Sequence, residues 1–250
     1  LGSRGAQSVA ERRALTMLPP STGPAPNVLL LVLDTVRAQS LSLYGYRRPT
    51  TPQLERLTKR GVLFDHAIST SPWTLPSHGS MFTGRYPHEL SANWRTPLDS
   101  TFPTLAEILG AHGYVTAGFI ANTLYCSRTY GLDRGFLHYE DVAITPGQVM
   151  LSSSLAEMAT NVLRLRERFG NNENFGRKSA QRVNADFLSW LDSHSKERPF
   201  FAFLNYLDAH DPYYPPSEFA LQFGPEVDGN LNAMPWDVDR FPLHRVEELN

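Results

Sequence analysis

A chain of 250 residues that is 41% hydrophobic and 11% aromatic carries enough apolar surface to bury a sizeable core, which excludes a wholly disordered protein. Its 23 basic and 25 acidic side chains leave a formal charge of -2, so there is no net basic field for non-specific nucleic-acid binding, and nucleic acid is not an expected partner. The single cysteine, Cys126, excludes an internal disulfide framework and any multi-cysteine zinc site.

Residues 1–26 are rich in Ala, Arg, Ser and Pro and close on Pro19, Pro20, Pro24 and Pro26. They predict a flexible leader, a tether with no core of its own. The sequence opens on Leu1 and has its first methionine at Met17, so a processed terminus or a longer parent chain is expected. The domain proper is expected over residues 27–250. Asn27 to Asp34 (NVLLLVLD) is a continuous apolar run ended by an acid, the pattern of a strand buried in a parallel sheet. Val28 to Leu33 is the longest aliphatic run and falls far short of the ~20 residues of a membrane helix.

Helix and strand then alternate. Pro52 to Arg60 has Leu54 and Leu57 at helical spacing, Pro52 in the first turn and Gly61 as a stop. Val62 to Ala67 is a short strand candidate, and a helix is expected from about Pro76 to Thr83, stopped by Gly84. Pro103 to Ala111 predicts a helix, Tyr114 to Ile120 a strand, Arg177 to His194 a helix with Ala180, Val183, Phe187 and Leu191 on one face, and Pro199 to Leu207 a strand. Ser152 to Phe169 reads as a helix and Asn171 to Gly176 as a turn, residues 222–250 show no clear period, and there is no internal repeat. Alternation of this kind implies βαβ units: an α/β sandwich whose mainly parallel central sheet is flanked by helices. In such sheets functional groups collect beyond the carboxyl ends of the strands, which singles out Asp34, the loop leading to Thr74, and the Asp208 to Pro216 loop.

Each of these places supports two readings. Asp34 ends a buried strand, where a carboxylate requires a cation; either a hard metal ion or a loop role paired with Arg37 would serve. Thr74 stands where a loop becomes a helix. It is either an N-cap or a nucleophile among unsatisfied N–H groups at the positive end of the helix dipole. His210, in YLDAHDPYYPP, either donates to a charged substrate oxygen and moves protons or is a loop histidine bonded to backbone. The remaining histidines read as structural, Cys126 as a small buried hydrophobe, and the Arg164 to Arg168 charges as a solvated helix face.

Taken together, the stretch from NVLLLVLD through SPWTLPSHGSMFTGRYPHE, the later GYVTAGFIANTLYCSRTYGLDRGFLHYED, and RPFFAFLNYLDAHDPYYPP resemble the N-terminal part of the sulfatase family, within the alkaline phosphatase superfamily. The resemblance spans about Asn27 to Pro216. It implies an alkaline phosphatase-like fold and a metal-centred site that cleaves sulfate or phosphate esters through a covalent intermediate. By position, it makes Asp34 a metal ligand, Thr74 the nucleophile, His210 the histidine contacting the transferred group, and His78 a substrate-binding residue in place of the motif arginine. One divalent ion is implied, Ca2+ by family, with Zn2+, Mn2+ or Mg2+ as alternatives. The implied partners are small-molecule, glycan or lipid sulfate or phosphate esters. Many family members work outside the cytoplasm, so an extracytoplasmic or membrane-tethered location is expected, with any anchor outside this chain.

The departures are specific. The family's C/S-x-P-S-R motif, whose first residue is oxidised to formylglycine, reads here Thr74-Leu75-Pro76-Ser77-His78. Oxidising threonine would give a ketone, so formylglycine chemistry is not expected, whereas phosphoethanolamine transferases of the same superfamily use an unmodified threonine. Thr35 stands where a second aspartate is usual, and the lysine and histidine after GYVTAG have no counterpart. The late strand ending in Asp-His or Asp-Asn is not found before Asn250, so the chain is expected to be a fragment that stops short of the last metal-binding motif and is inactive alone. Two functions follow: a metal-dependent hydrolase or transferase, or a sulfatase-like binding protein with an impaired site.

Overall fold

The computed structural model describes residues 3–21, 25–141, 178–194 and 197–210. Within them the elements are α1 (Ser3–Met17), β1 (Val28–Leu33), α2 (Pro52–Thr58), α3 (Thr74–Thr83), α4 (Leu105–Ala111), β2 (Val115–Ile120), β3 (His138–Glu140), α5 (Ala180–Ser193) and β4 (Phe200–Tyr206). The helix expected over Ser152 to Phe169, the turn after it and residues 222–250 lie outside the described residues. No described helix is long and apolar enough to cross a membrane.

The sheet runs in the order β1-β4-β2-β3 with every pair parallel, the α/β arrangement expected from the alternating pattern. Parity along the strands assigns each residue to a face. Phe201 and Phe203 of β4 join Ile120, Leu75 and Phe82 in a core beneath α3 and α4. Ala202 and Leu204 join Ala117, Phe119, Val183 and Phe187 in a second core beneath α5. Gly118, on the α3 side, leaves room for the buried Tyr139 ring: a Cβ there would lie 2.5 Å from its Cδ2. In β1 only one face is covered, by packing of Val28, Leu30 and Val32, while Leu29, Leu31 and Leu33 are half-exposed.

Three local expectations change. Val62 to Ala67 forms no strand; Val62 and Phe64 are exposed, and an extended segment without a neighbouring strand leaves its backbone bonds unmade. The leader carries a helix, α1, where a structureless tether was expected, and Glu11 contacts His138 Nδ1 at 2.5 Å. Beyond it, Arg198 Nη1 donates to Pro19 O at 2.6 Å, so this stretch is fixed to the domain. Strand β3 is an addition: three residues paired to β2 from Ala117↔His138 to Phe119↔Glu140, too short to show a period.

Candidate functional site

Helix α3 sets the geometry. Its N-cap is Trp73, in extended conformation and without a side-chain cap bond, so Thr74 is the first helical residue and not the cap. Helix geometry leaves the N–H groups of Thr74 and Leu75 without intrahelical acceptors, and Pro76 has none to leave. Gly84, at φ 67°, ends the helix with its N–H on Ser80 O at 2.9 Å.

Asp34 follows the last residue of β1, buried, with its N–H on Tyr206 O. Its Oδ2 accepts from Asn122 Nδ2 at 3.1 Å and from the Thr74 hydroxyl at 3.4 Å. The pairing with Arg37 is not formed; that guanidinium donates to Ser40 Oγ at 2.9 Å. Asp34 thus has only neutral donors and, among the described residues, no ion-pair partner. A buried carboxylate so placed fits one ligand position of a hard divalent cation. No cluster of three or more His, Cys, Asp or Glu suited to a metal occurs among the described residues.

Thr35 takes φ 63°, the left-handed region that a β-branched residue rarely enters. Its hydroxyl is shared between Asp34 O, at 2.7 Å, and Ala209 O, at 3.3 Å, so the end of β1 is clasped to the loop carrying His210.

His78 faces inward. Nδ1 lies 2.8 Å from Thr74 O, Nε2 lies 3.4 Å from Asn205 Nδ2, and the ring packs edge-on against Phe203. Burial pushes its pKa below the ordinary value, and the upward pulls of the Thr74 carbonyl and the Asp34 charge do not reverse this. His78, expected to bind substrate in place of the motif arginine, lines the cleft with both ring nitrogens turned to protein groups, Thr74 O and Asn205 Nδ2.

A cleft of about 970 Å³ brings Asp34, Thr74, His78 and His210 together. His210 is half-buried on its rim, with its main-chain N–H on Leu207 O at 3.0 Å. Asp208, grouped with it in the sequence, instead serves α5, where its Oδ1 accepts from the N–H of Ala180 at 3.2 Å. Asp211 lies outside the described residues. Trp73, Tyr86 and Tyr125 also line the cleft. Trp73, immediately before Thr74, meets Tyr125 at 5.5 Å and Trp94 at 6.4 Å, both edge-on, and Arg95 lies 3.7 Å over the Trp94 ring. Arg85, also lining the cleft, follows the C-cap of α3 and reaches Glu89 at 3.5 Å and the face of Phe102 at 4.7 Å.

Sequence reasoning missed Asn122 and Asn205. The signal was present in strand parity, since an asparagine on the α3 side of an otherwise apolar strand must find polar partners there.

A family model described as Sulfatase matches residues 26–233. An N-acetylgalactosamine-6-O-sulfatase of Bacteroides thetaiotaomicron is 32% identical over 97 residues, 36% of this chain and 19% of that protein. Among solved structures, the phosphonate monoester hydrolase of Agrobacterium radiobacter aligns with TM-score 0.58 at 23% identity, over 81% of this chain and 45% of that one. The soluble domain of lipooligosaccharide phosphoethanolamine transferase A from Neisseria meningitidis aligns with TM-score 0.56 at 18% identity, over 87% and 57%. At these identities the two structures establish the fold, an alkaline phosphatase-like one, of which this chain spans about half.

Proposed function

The chain belongs to the sulfatase family, and from that premise we propose that it cleaves or transfers a sulfate or phosphate ester, with the unmodified hydroxyl of Thr74 as the nucleophile. The observation that carries this reading is the Thr74 hydroxyl at the start of α3, 3.4 Å from the buried Asp34 carboxylate and facing the same cleft as His210. Thr74 Oγ1 attacks sulfur or phosphorus, its proton passes to water in the cleft, the ester's alcohol departs as the covalent Thr74 ester forms, and water or an acceptor alcohol then takes the group and regenerates the hydroxyl. Negative charge gathering on the equatorial oxygens is favoured by the helix start and the free N–H groups of its first turn. His210, on the rim, donates to a non-bridging oxygen or hands a proton to the departing alcohol. A divalent ion on Asp34, Ca2+ by family or Zn2+, Mn2+ or Mg2+, would polarise the same oxygens.

The aromatic wall supports a ring-bearing alcohol as the substrate, a sugar or an aryl group, because its flat apolar face can lie against Trp73 while Arg85 meets further negative charge. The sulfatase relative is named for a sugar sulfate. Threonine favours phosphoryl transfer over formylglycine chemistry. The motif losses, His78 for arginine and Thr35 for the second aspartate, favour a second reading, a sulfatase-like protein that binds anionic esters without turning them over.

One experiment separates the two. The full-length protein is incubated with Ca2+, Mg2+, Mn2+ or Zn2+ and with aryl phosphate or aryl sulfate, and both turnover and intact mass are followed. Turnover with a covalent adduct, reduced about a thousandfold or more in Thr74→Ala, supports the enzyme. Tight ester binding without turnover or adduct supports the binding protein.

A further inference from the structure

Three neighbouring strands deliver polar groups to one spot on the α3 side of the sheet. Val32, Asn205 and Ile120 are in register across β1, β4 and β2, and Asp34 and Asn122 lie two residues beyond Val32 and Ile120. All three polar residues therefore face α3, which places Thr74 and His78 over them. We propose that Asn122 and Asn205 are positioning residues for Thr74, closing a buried five-residue circuit, Asp34–Thr74–His78–Asn205–Asn122, in which two links run through main-chain groups, the Thr74 carbonyl and the Asn122 N–H, and that holds the hydroxyl in one orientation.

The direction of every bond follows from two main-chain donors, the Asn122 N–H within the circuit and the Tyr125 N–H outside it. Asn205 Oδ1 accepts the Asn122 N–H at 2.9 Å, so its NH2 is the group facing His78 Nε2 and must donate to it. His78 Nε2 is therefore unprotonated, and Nδ1 carries the hydrogen donated to Thr74 O at 2.8 Å. Asn122 Oδ1 accepts the Tyr125 N–H at 3.1 Å, which turns its NH2 to Asp34 Oδ2. That oxygen also receives the Thr74 hydroxyl. Thr74 is thus gripped at both its carbonyl and its Oγ1, and a proton added at His78 Nε2 would break the circuit at Asn205. Both asparagines are almost wholly buried, Asn205 at 0% and Asn122 at 3% exposure, so their polar atoms depend on one another. Burial keeps the His78 ring neutral, as the circuit requires.

This inference rests on Thr74 being the nucleophile, and its test has readouts that do not need turnover. In the full-length protein with 15N-labelled histidine, His78 is expected as the neutral Nδ1–H tautomer at pH 7, and Thr74 is expected in a single χ1 rotamer by three-bond coupling. Asn205→Asp keeps the shape and the bond to Asn122 but removes the donor. It should make His78 doubly protonated at pH 7, average the Thr74 rotamer and lower kcat at least tenfold, with KM within twofold. Asn122→Ala, which frees Asp34 Oδ2, should average the Thr74 rotamer while His78 stays neutral. An ordinary His78 titration near pH 6.5 in the wild type, the opposite tautomer, or variants that lose only thermal stability while Thr74 keeps one rotamer would overturn the proposal. An inert wild-type chain with the rotamer effects intact would overturn the functional reading and leave the circuit standing.

Discussion

Replacing Glu11 with glutamine tests whether α1 is held to the domain by charge. Glu11 and Glu140 flank His138, at 2.5 Å from Nδ1 and 3.5 Å from Nε2. Burial alone would lower the pKa of His138, yet the two carboxylates carry it from 6.5 to about 9. That rise corresponds to about 3 kcal/mol in favour of the folded, charged form. If Glu11 supplies roughly half, the substitution costs about 1.5 kcal/mol, or about 3–6 °C in melting temperature for a chain of this size. A group whose pKa is raised by folding contributes fully below its unfolded value of 6.5 and loses that contribution as pH rises through about 9. Glu140 works from the other side: burial pushes it up, but the bond from His138 and the Lys178 charge hold it at about 2, so its contribution is complete above 4.5 and lost as pH falls through about 2. Thermal unfolding of wild type and Glu11→Gln at pH 6 and pH 10 should therefore show the full gap at pH 6 and a closed or reversed one at pH 10. An equal gap at both values, or none at pH 6, would refute the charge argument.

Two further outcomes are expected. Trp73→Ala, which removes the centre of the aromatic wall, should raise KM about tenfold for esters of sugar or aryl alcohols and hardly change it for a methyl ester, measured by steady-state kinetics on matched pairs. Gly118→Ala should destabilise the fold by about 1–3 kcal/mol in urea unfolding, because the added methyl would meet the Tyr139 ring. That ring has nowhere to go, being buried and fixed by its hydroxyl on Cys126 O at 2.6 Å.

The strands that frame the site were legible because their apolar runs are continuous and end in polar groups: Asp34 closes β1, and the loop with His210 follows β4. The start of α3 was legible through Pro76 and Gly84, although Trp73 rather than Thr74 proved to be the cap. Asn205 was hidden because one polar residue in FFAFLNY has no meaning until the face it points to, and the helix over that face, are known. The contacts of His78 were hidden for a related reason. Its position in the motif suggested a substrate contact, but four residues after Thr74 on a helix is also where a side chain reaches back to the Thr74 carbonyl. The leader misled through its prolines, which outweighed the strong helix formers in SVAERRALTM.

Thr35 gives the cleft a mechanical property. Its left-handed backbone costs on the order of 1–3 kcal/mol, and the hydroxyl that this posture aims at Ala209 O is a latch between the two sides of the opening. The bond joins the residue after Asp34 to the residue before His210. The end of β1 is thereby tied on one side to the loop carrying His210 and, through Asp34, to Thr74 and Asn122 on the other.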